Sequence, residues 1–181
     1  LIGSIPFGFL LTKIFLKKDI REIGSGNIGA TNALRTGNKL IGYSTLILDI
    51  SKAVILLLII KFNFSEYLFT SSIAVFLGHV FPIWLKFKGG KGVATYVGIL
   101  FCINIYLVIV FIFSWLIIFT LTKYSSLASM LSSLFVPLTS YFLLGDNNYY
   151  FYIIFGLLIL ITHRENIKRL KNNTESKTKI Y

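Results

Sequence analysis

Apolar residues fall into long runs at 1–16, 40–60, 67–85, 93–122, 125–144 and 149–162, separated by short polar breaks. A bilayer core of about 30 Å takes about 20 helical residues, so most runs read as single crossings. The run 93–122 is the exception, because as one helix it would reach ~45 Å at ~1.5 Å per residue. It is one steep helix or two short ones.

Loop charge favours two. With a break near Asn104, every basic cluster falls on one side: Lys17, Lys18, Arg21, Arg35 and Lys39; Lys86, Lys88 and Lys91; Lys123; and the tail from Arg164 to Lys179. The opposite side receives 63–66 and 145–148, with only Lys61 at its edge. A single crossing would place the basic tail opposite the first loop, against the positive-inside rule. The expectation is an all-α, polytopic integral membrane protein, one domain over 1–181, with about seven transmembrane helices, N-terminus outside and C-terminus cytoplasmic. The first stretch has no initiator Met and no basic n-region, so it is expected to be a span clipped at its outer end, not a signal peptide.

Composition agrees. The 181 residues are 55% hydrophobic and 14% charged, whereas a soluble domain is about a quarter charged. That excludes a soluble globular protein and also disorder, which needs the opposite balance. Cys102 stands alone, so no disulfide scaffold is possible. Eighteen Lys and Arg against seven Asp and Glu give a net charge of +11. In a soluble chain that would suggest nucleic acid, but cations confined to breaks between spans point to anionic lipid or an anionic substrate, with no nucleic acid.

The basic side also carries the candidate chemistry. The first loop, Gly24-Ser25-Gly26-Asn27-Ile28-Gly29-Ala30-Thr31-Asn32-Ala33-Leu34-Arg35, packs small residues that expose backbone N–H groups beside hydroxyl, amide and guanidinium donors. It matches G-x-G-x-x-G formally, but a dinucleotide site needs a strand and a βαβ unit, and Asp49 lies in an apolar run instead. The second loop, Phe87-Lys88-Gly89-Gly90-Lys91-Gly92-Val93-Ala94-Thr95, lacks P-loop spacing yet offers the same physics: glycine N–H groups and a lysine charge at a helix start. In the third segment, His163-Arg164-Glu165-Asn166-Ile167-Lys168-Arg169-Leu170, helical spacing puts His163 and Asn166 on the face of Ile167 and Leu170, pointing inward. Together these predict a phosphate site at the membrane surface. Its candidates are Gly24, Ser25, Gly26, Asn27, Thr31, Asn32 and Arg35; Lys88, Gly89, Gly90, Lys91 and Gly92; and His163 with Asn166. Asp49 and Lys52, three apart in the second span, are expected to pair, with a supporting role at the site as the alternative. His79 reads as structural beside a kink at Pro82. Scattered His, Cys and acids argue against a metal, and no cofactor is expected.

The three strings, with Gly78-His79-Val80-Phe81-Pro82 and Gly3-Ser4-Ile5-Pro6-Phe7-Gly8, resemble the bacterial acyl-phosphate:glycerol-3-phosphate acyltransferase family, PlsY, in order and spacing over nearly the whole chain. The pattern departs at Asn172-Asn173-Thr174-Glu175, where the family usually places Gly before Thr-Glu. The resemblance implies a multi-pass enzyme of the bacterial cytoplasmic (inner) membrane with its site on the cytoplasmic face. It would move a fatty acyl group from acyl phosphate to glycerol 3-phosphate, giving lysophosphatidic acid and phosphate. An acyl phosphate is already activated, so the protein must position a hydroxyl and neutralise a leaving phosphate. Ser25, Arg35, Lys91, His163 and Asn166 are the candidates for that work. The H-x-x-x-x-D signature of other glycerolipid acyltransferases is absent, since Trp84 and Lys168 stand where the Asp would be. A transporter of a phosphorylated anion is the alternative from another class.

Overall fold

The computed structural model describes residues 1–178; Lys179 of the basic tail and the end of the domain expected over 1–181 lie outside the described residues. Those residues are helical, with no strand among them, and form two compact units, Leu1–Cys102 and a second from Ile103 onward.

The first unit contains α1 (Phe7–Leu16), α2 (Ala30–Leu34), α3 (Lys39–Asn63), α4 (Leu68–Val80) and α5 (Val93–Ile103). Asn38 starts α3 by accepting the Ile41 N–H at 3.1 Å. Small residues bring its elements close. A Cβ on Gly98 would meet the Ile50 carbonyl at 2.6 Å, and one on Gly3 the Val75 carbonyl at 2.5 Å, so α5 crosses α3 and the N-terminal turn crosses α4 backbone to backbone. Pro82 ends α4 instead of kinking it: the helix stops at Val80, and Ile83–Leu85 forms a separate helical turn. Ile20, Ile28, Ala33, Ile41 and Leu85 make one buried cluster. The first glycine loop and the approach to the second therefore rest on common apolar ground.

The second unit contains α6 (Ile105–Thr122), α7 (Ser125–Phe142), α8 (Tyr149–Thr162) and α9 (Arg164–Lys171). Serines 126, 129, 132, 133 and 140 bury the small-residue face of α7, where Trp115 of α6 donates to Ser129 at 3.1 Å. The run 93–122 breaks at Asn104, whose extended backbone and side-chain bond to the Tyr106 N–H at 2.9 Å start a new helix. The pieces are unequal, 11 and 18 residues.

Two stretches, Ser65–Leu85 and Ile105–Thr122, are long and apolar enough to cross a membrane, and Phe7–Leu16, Val93–Ile103 and Tyr149–Thr162 are shorter apolar helices. Large apolar side chains such as Phe113, Leu121, Phe142 and Ile161 face outward. That surface suits lipid and not water.

Candidate active site

The first loop is organised by a side chain that never reaches its surface. Asn32 is buried; its amide donates to the carbonyls of Ile20, Ile23 and Asn27 at 3.0, 2.9 and 2.8 Å, and its Oδ1 accepts the Ser25 N–H at 2.9 Å. Asn27 in turn accepts the Gly29 N–H at 2.9 Å. Upstream, Asp19 caps the turn Ile20–Glu22 and binds the Arg21 guanidinium at 2.6 Å; the hydrogen bond from Arg21 holds its carboxyl down at about 2. Gly24 and Gly26 turn at φ 54° and 71°, and a Cβ on Gly24 would meet Asn32 Oδ1 at 2.5 Å and Arg35 Cδ at 2.7 Å. Arg35 thus lies against Gly24, one residue from the exposed Ser25. Sequence spacing put Asn32 among the substrate contacts; the structure places it under the loop, holding the others in position. Thr31 sits in the first turn of the short α2.

The second loop is folded back onto the end of α4. Lys86 and Phe87 adopt φ 51° and 62°, an unusual pair of left-handed side-chain-bearing residues that reverses the chain. The N–H groups of Gly89 and Gly90 then donate to the carbonyls of Val80 and His79, both at 3.1 Å. A Cβ on Gly90 would overlap the His79 ring, and one on Gly92, at φ 81°, the Phe76 ring. Gly90 and Gly92 are each seated against a ring edge from α4. Lys88 is exposed and Lys91 partly so. Thr95, not singled out by the sequence, is fully buried, and its hydroxyl has no hydrogen-bond partner among the described residues.

In the second unit the helix breaks at His163, whose backbone (φ −95°, ψ 9°) separates α8 from α9. His163 and Asn166 are 3% and 4% exposed, inward as their spacing requires. His163 Nδ1 lies 2.8 Å from the Ile159 carbonyl; a carbonyl only accepts, so Nδ1 carries the proton and Nε2 is the basic nitrogen of the neutral ring. Asn166 donates to Glu175 at 2.6 Å, as does Ser126, while Arg169 donates to the other carboxylate oxygen at 2.7 Å. Burial pushes the Glu175 carboxyl up, but the bonds from Ser126, Arg169 and Asn166 outweigh it and hold it below its ordinary value. Asn173, where the sequence lacks the expected glycine, takes the left-handed conformation at φ 57°, which Asn tolerates better than most residues.

The described residues form an all-helical body with an apolar surface suited to lipid, and the class they define is that of an integral membrane protein. The family described as glycerol-3-phosphate acyltransferase matches residues 1–173, and the chain belongs to it. Glycerol-3-phosphate acyltransferase of Pelagibacter ubique is 68% identical, over 100% of this chain and 94% of that one. That of Bartonella henselae is 47% identical, over 98% and 87%. The crystal structure of PlsY (YgiH), an integral membrane glycerol 3-phosphate acyltransferase, in its glycerol 3-phosphate form matches with a TM-score of 0.92 at 38% identity, over 98% of this chain and 90% of that one. Its lysophosphatidic acid form matches at 0.87 and 36%, with the same coverage.

Proposed function

We propose that this enzyme uses acyl phosphate as its donor, at the cytoplasmic face of a bacterial inner membrane, and that one domain over 1–181 crosses that membrane about seven times with its C-terminus inside. It is an acyltransferase of glycerol 3-phosphate; family membership and neighbours in glycerol 3-phosphate and lysophosphatidic acid forms support that activity. In the reaction the acceptor hydroxyl oxygen bonds to the acyl carbonyl carbon, the acyl carbon–phosphate oxygen bond breaks, and inorganic phosphate leaves with that oxygen. The hydroxyl proton goes to a base.

The observation that carries this reading is the seating of Arg35 on Gly24 beside Ser25, braced by the buried Asn32. It presents a guanidinium and a hydroxyl together, which suits a phosphate or the oxyanion of a mixed anhydride. Lys88 and Lys91 supply point charges beside Gly92, on a turn that Gly89 and Gly90 hold against α4 with their own N–H groups, while Gly26, Asn27 and Thr31 complete the donors around the first loop. His163 and Asn166 orient the acceptor. The second pKa of a phosphomonoester is near 6, so the phosphate dianion of glycerol 3-phosphate, held within reach of its own hydroxyl, takes that proton. An apolar cleft of about 350 Å³ lined by Ile5, Pro6, Phe9, Leu10, Trp84 and Leu85 opens just before the second loop, a suitable place for an acyl tail.

Purified protein in detergent, given acyl phosphate and glycerol 3-phosphate, should release phosphate and form lysophosphatidic acid stoichiometrically. Release that does not depend on glycerol 3-phosphate would overturn the acceptor. Flux of labelled glycerol 3-phosphate into proteoliposomes with no product formed would favour the transporter.

A further inference from the structure

Asp49, Lys52 and His79 form a buried polar chain inside the first unit, all three at most 4% exposed. Lys52 Nζ donates to Asp49 Oδ1 at 2.7 Å and to the Ile5 carbonyl at 3.0 Å, and lies 2.8 Å from His79 Nδ1. As an ammonium it has a third N–H for His79, whose Nδ1 then accepts. The ring proton is then on Nε2, at the edge over which Gly90 sits.

An ion pair in an apolar span is expensive, and well-packed apolar side chains commonly hold helices together as well or better. Its geometry here suggests what else it does. The His79 carbonyl accepts the Gly90 N–H at 3.1 Å, so one residue touches the second loop through its backbone and through its ring. The same ring is fixed from behind by Lys52, and Lys52 by Asp49 one helical turn away on α3. Without that anchor the imidazole could rotate about its side-chain bonds, and the floor beneath Gly90 would move with it.

We propose that Asp49, Lys52 and His79 are positioning residues: a buried strut from α3 to the second loop that fixes Gly90, and through it the lysines that receive a substrate phosphate. The inference rests on the reading of that loop as a phosphate site. It assigns none of the three to contact with substrate.

The test compares KM for each substrate, kcat and thermal stability in detergent. Lys91→Ala first identifies the substrate whose phosphate the loop holds, as the one whose KM rises. His79→Asn keeps an acceptor near the Nδ1 position and removes the ring edge under Gly90. It should raise KM for that same substrate about tenfold, with kcat within about threefold and Tm within a few degrees. Gly90→Ala should show the same selective rise. The pair His79→Asn/Gly90→Ala should recover much of it, since the vacated ring volume accepts the methyl; such coupling is the mark of direct contact. A merely structural role would lower stability or affect both substrates alike, and either result overturns the strut. If Lys91→Ala raises KM and His79→Asn does not, the strut is wrong and the phosphate reading stands. If Lys91→Ala changes nothing, the phosphate reading fails first and the strut with it. Should His79→Asn not fold, Asp49→Asn, nearly isosteric, replaces it, and an unchanged KM overturns the proposal.

Discussion

At the scale of single residues, the proposed site divides into side chains that would meet a substrate and those that hold them. Arg35 is proposed for the first group. Arg35→Ala should lower kcat/KM by one to several decades, roughly 1.5 to 4 kcal/mol, with the protein still folded. Arg35→Lys should also be impaired, because an ammonium cannot reproduce a two-pronged contact. Near-wild-type kinetics for the alanine variant would remove Arg35 from the site. His163 tests the proton's route. If it orients the acceptor, His163→Gln should keep far more kcat than His163→Ala; equal losses of ~10²-fold or more, with glycerol 3-phosphate binding intact, would make it the general base. The donors in the glycine loops were legible because phosphate chemistry requires their types. Their division of labour was not. Asn32 looks like Asn27 in sequence, and only its burial among four backbone groups shows that it supports the loop.

At the scale of elements, the second unit's tail is a strap held by one carboxylate. Glu175 ties α7 to α9 through Ser126, Asn166 and Arg169. Its folded pKa lies below the ordinary 4.5, so ionised Glu175 adds stability that is full above the unfolded value and is lost as pH falls through the folded one. Glu175→Gln should therefore have a lower Tm than wild type at pH 7, and the gap should narrow as the pH drops below about 4.5. A gap that stays constant with pH would exclude the charge as its source. The sequence was informative here for one element and silent for another. The break at Asn104 could be expected, because a polar residue that caps helices interrupts a run too long for the bilayer. The break at His163 was less marked, since its neighbours' spacing fits a continued helix as well as one capped there by a buried histidine. Likewise the glycines of the second loop read as N–H donors for an anion, but Gly89 and Gly90 donate their N–H groups to the carbonyls of Val80 and His79. The reason for glycine at 90 and 92, the rings of His79 and Phe76 beside them, depends on α4 and is invisible in the loop itself.

At the scale of the whole molecule, the number and side of the crossings rest on charge and not on packing. The apolar runs foretold α1 and α3 to α8, because burial in lipid leaves few ways to arrange twenty apolar residues, and helices satisfy their own backbone. Which ends should face the cytoplasm is an expectation from the cations, whose cost of translocation orients short loops. The loop at 145–148 carries no Lys or Arg, whereas the segment from Arg164 to Lys177 carries five, so the two should lie on opposite sides. Asn147 and Thr174 are exposed and suit single-cysteine labelling in a background with the buried Cys102 replaced by Ala. In intact cells a membrane-impermeant maleimide should label Asn147→Cys, and it should reach Thr174→Cys only after permeabilisation. The reverse pattern would invert the topology. Labelling of both from outside would remove the crossing between 148 and 163, and with it the odd number of crossings before the tail and the proposed cytoplasmic placement of His163 and Asn166.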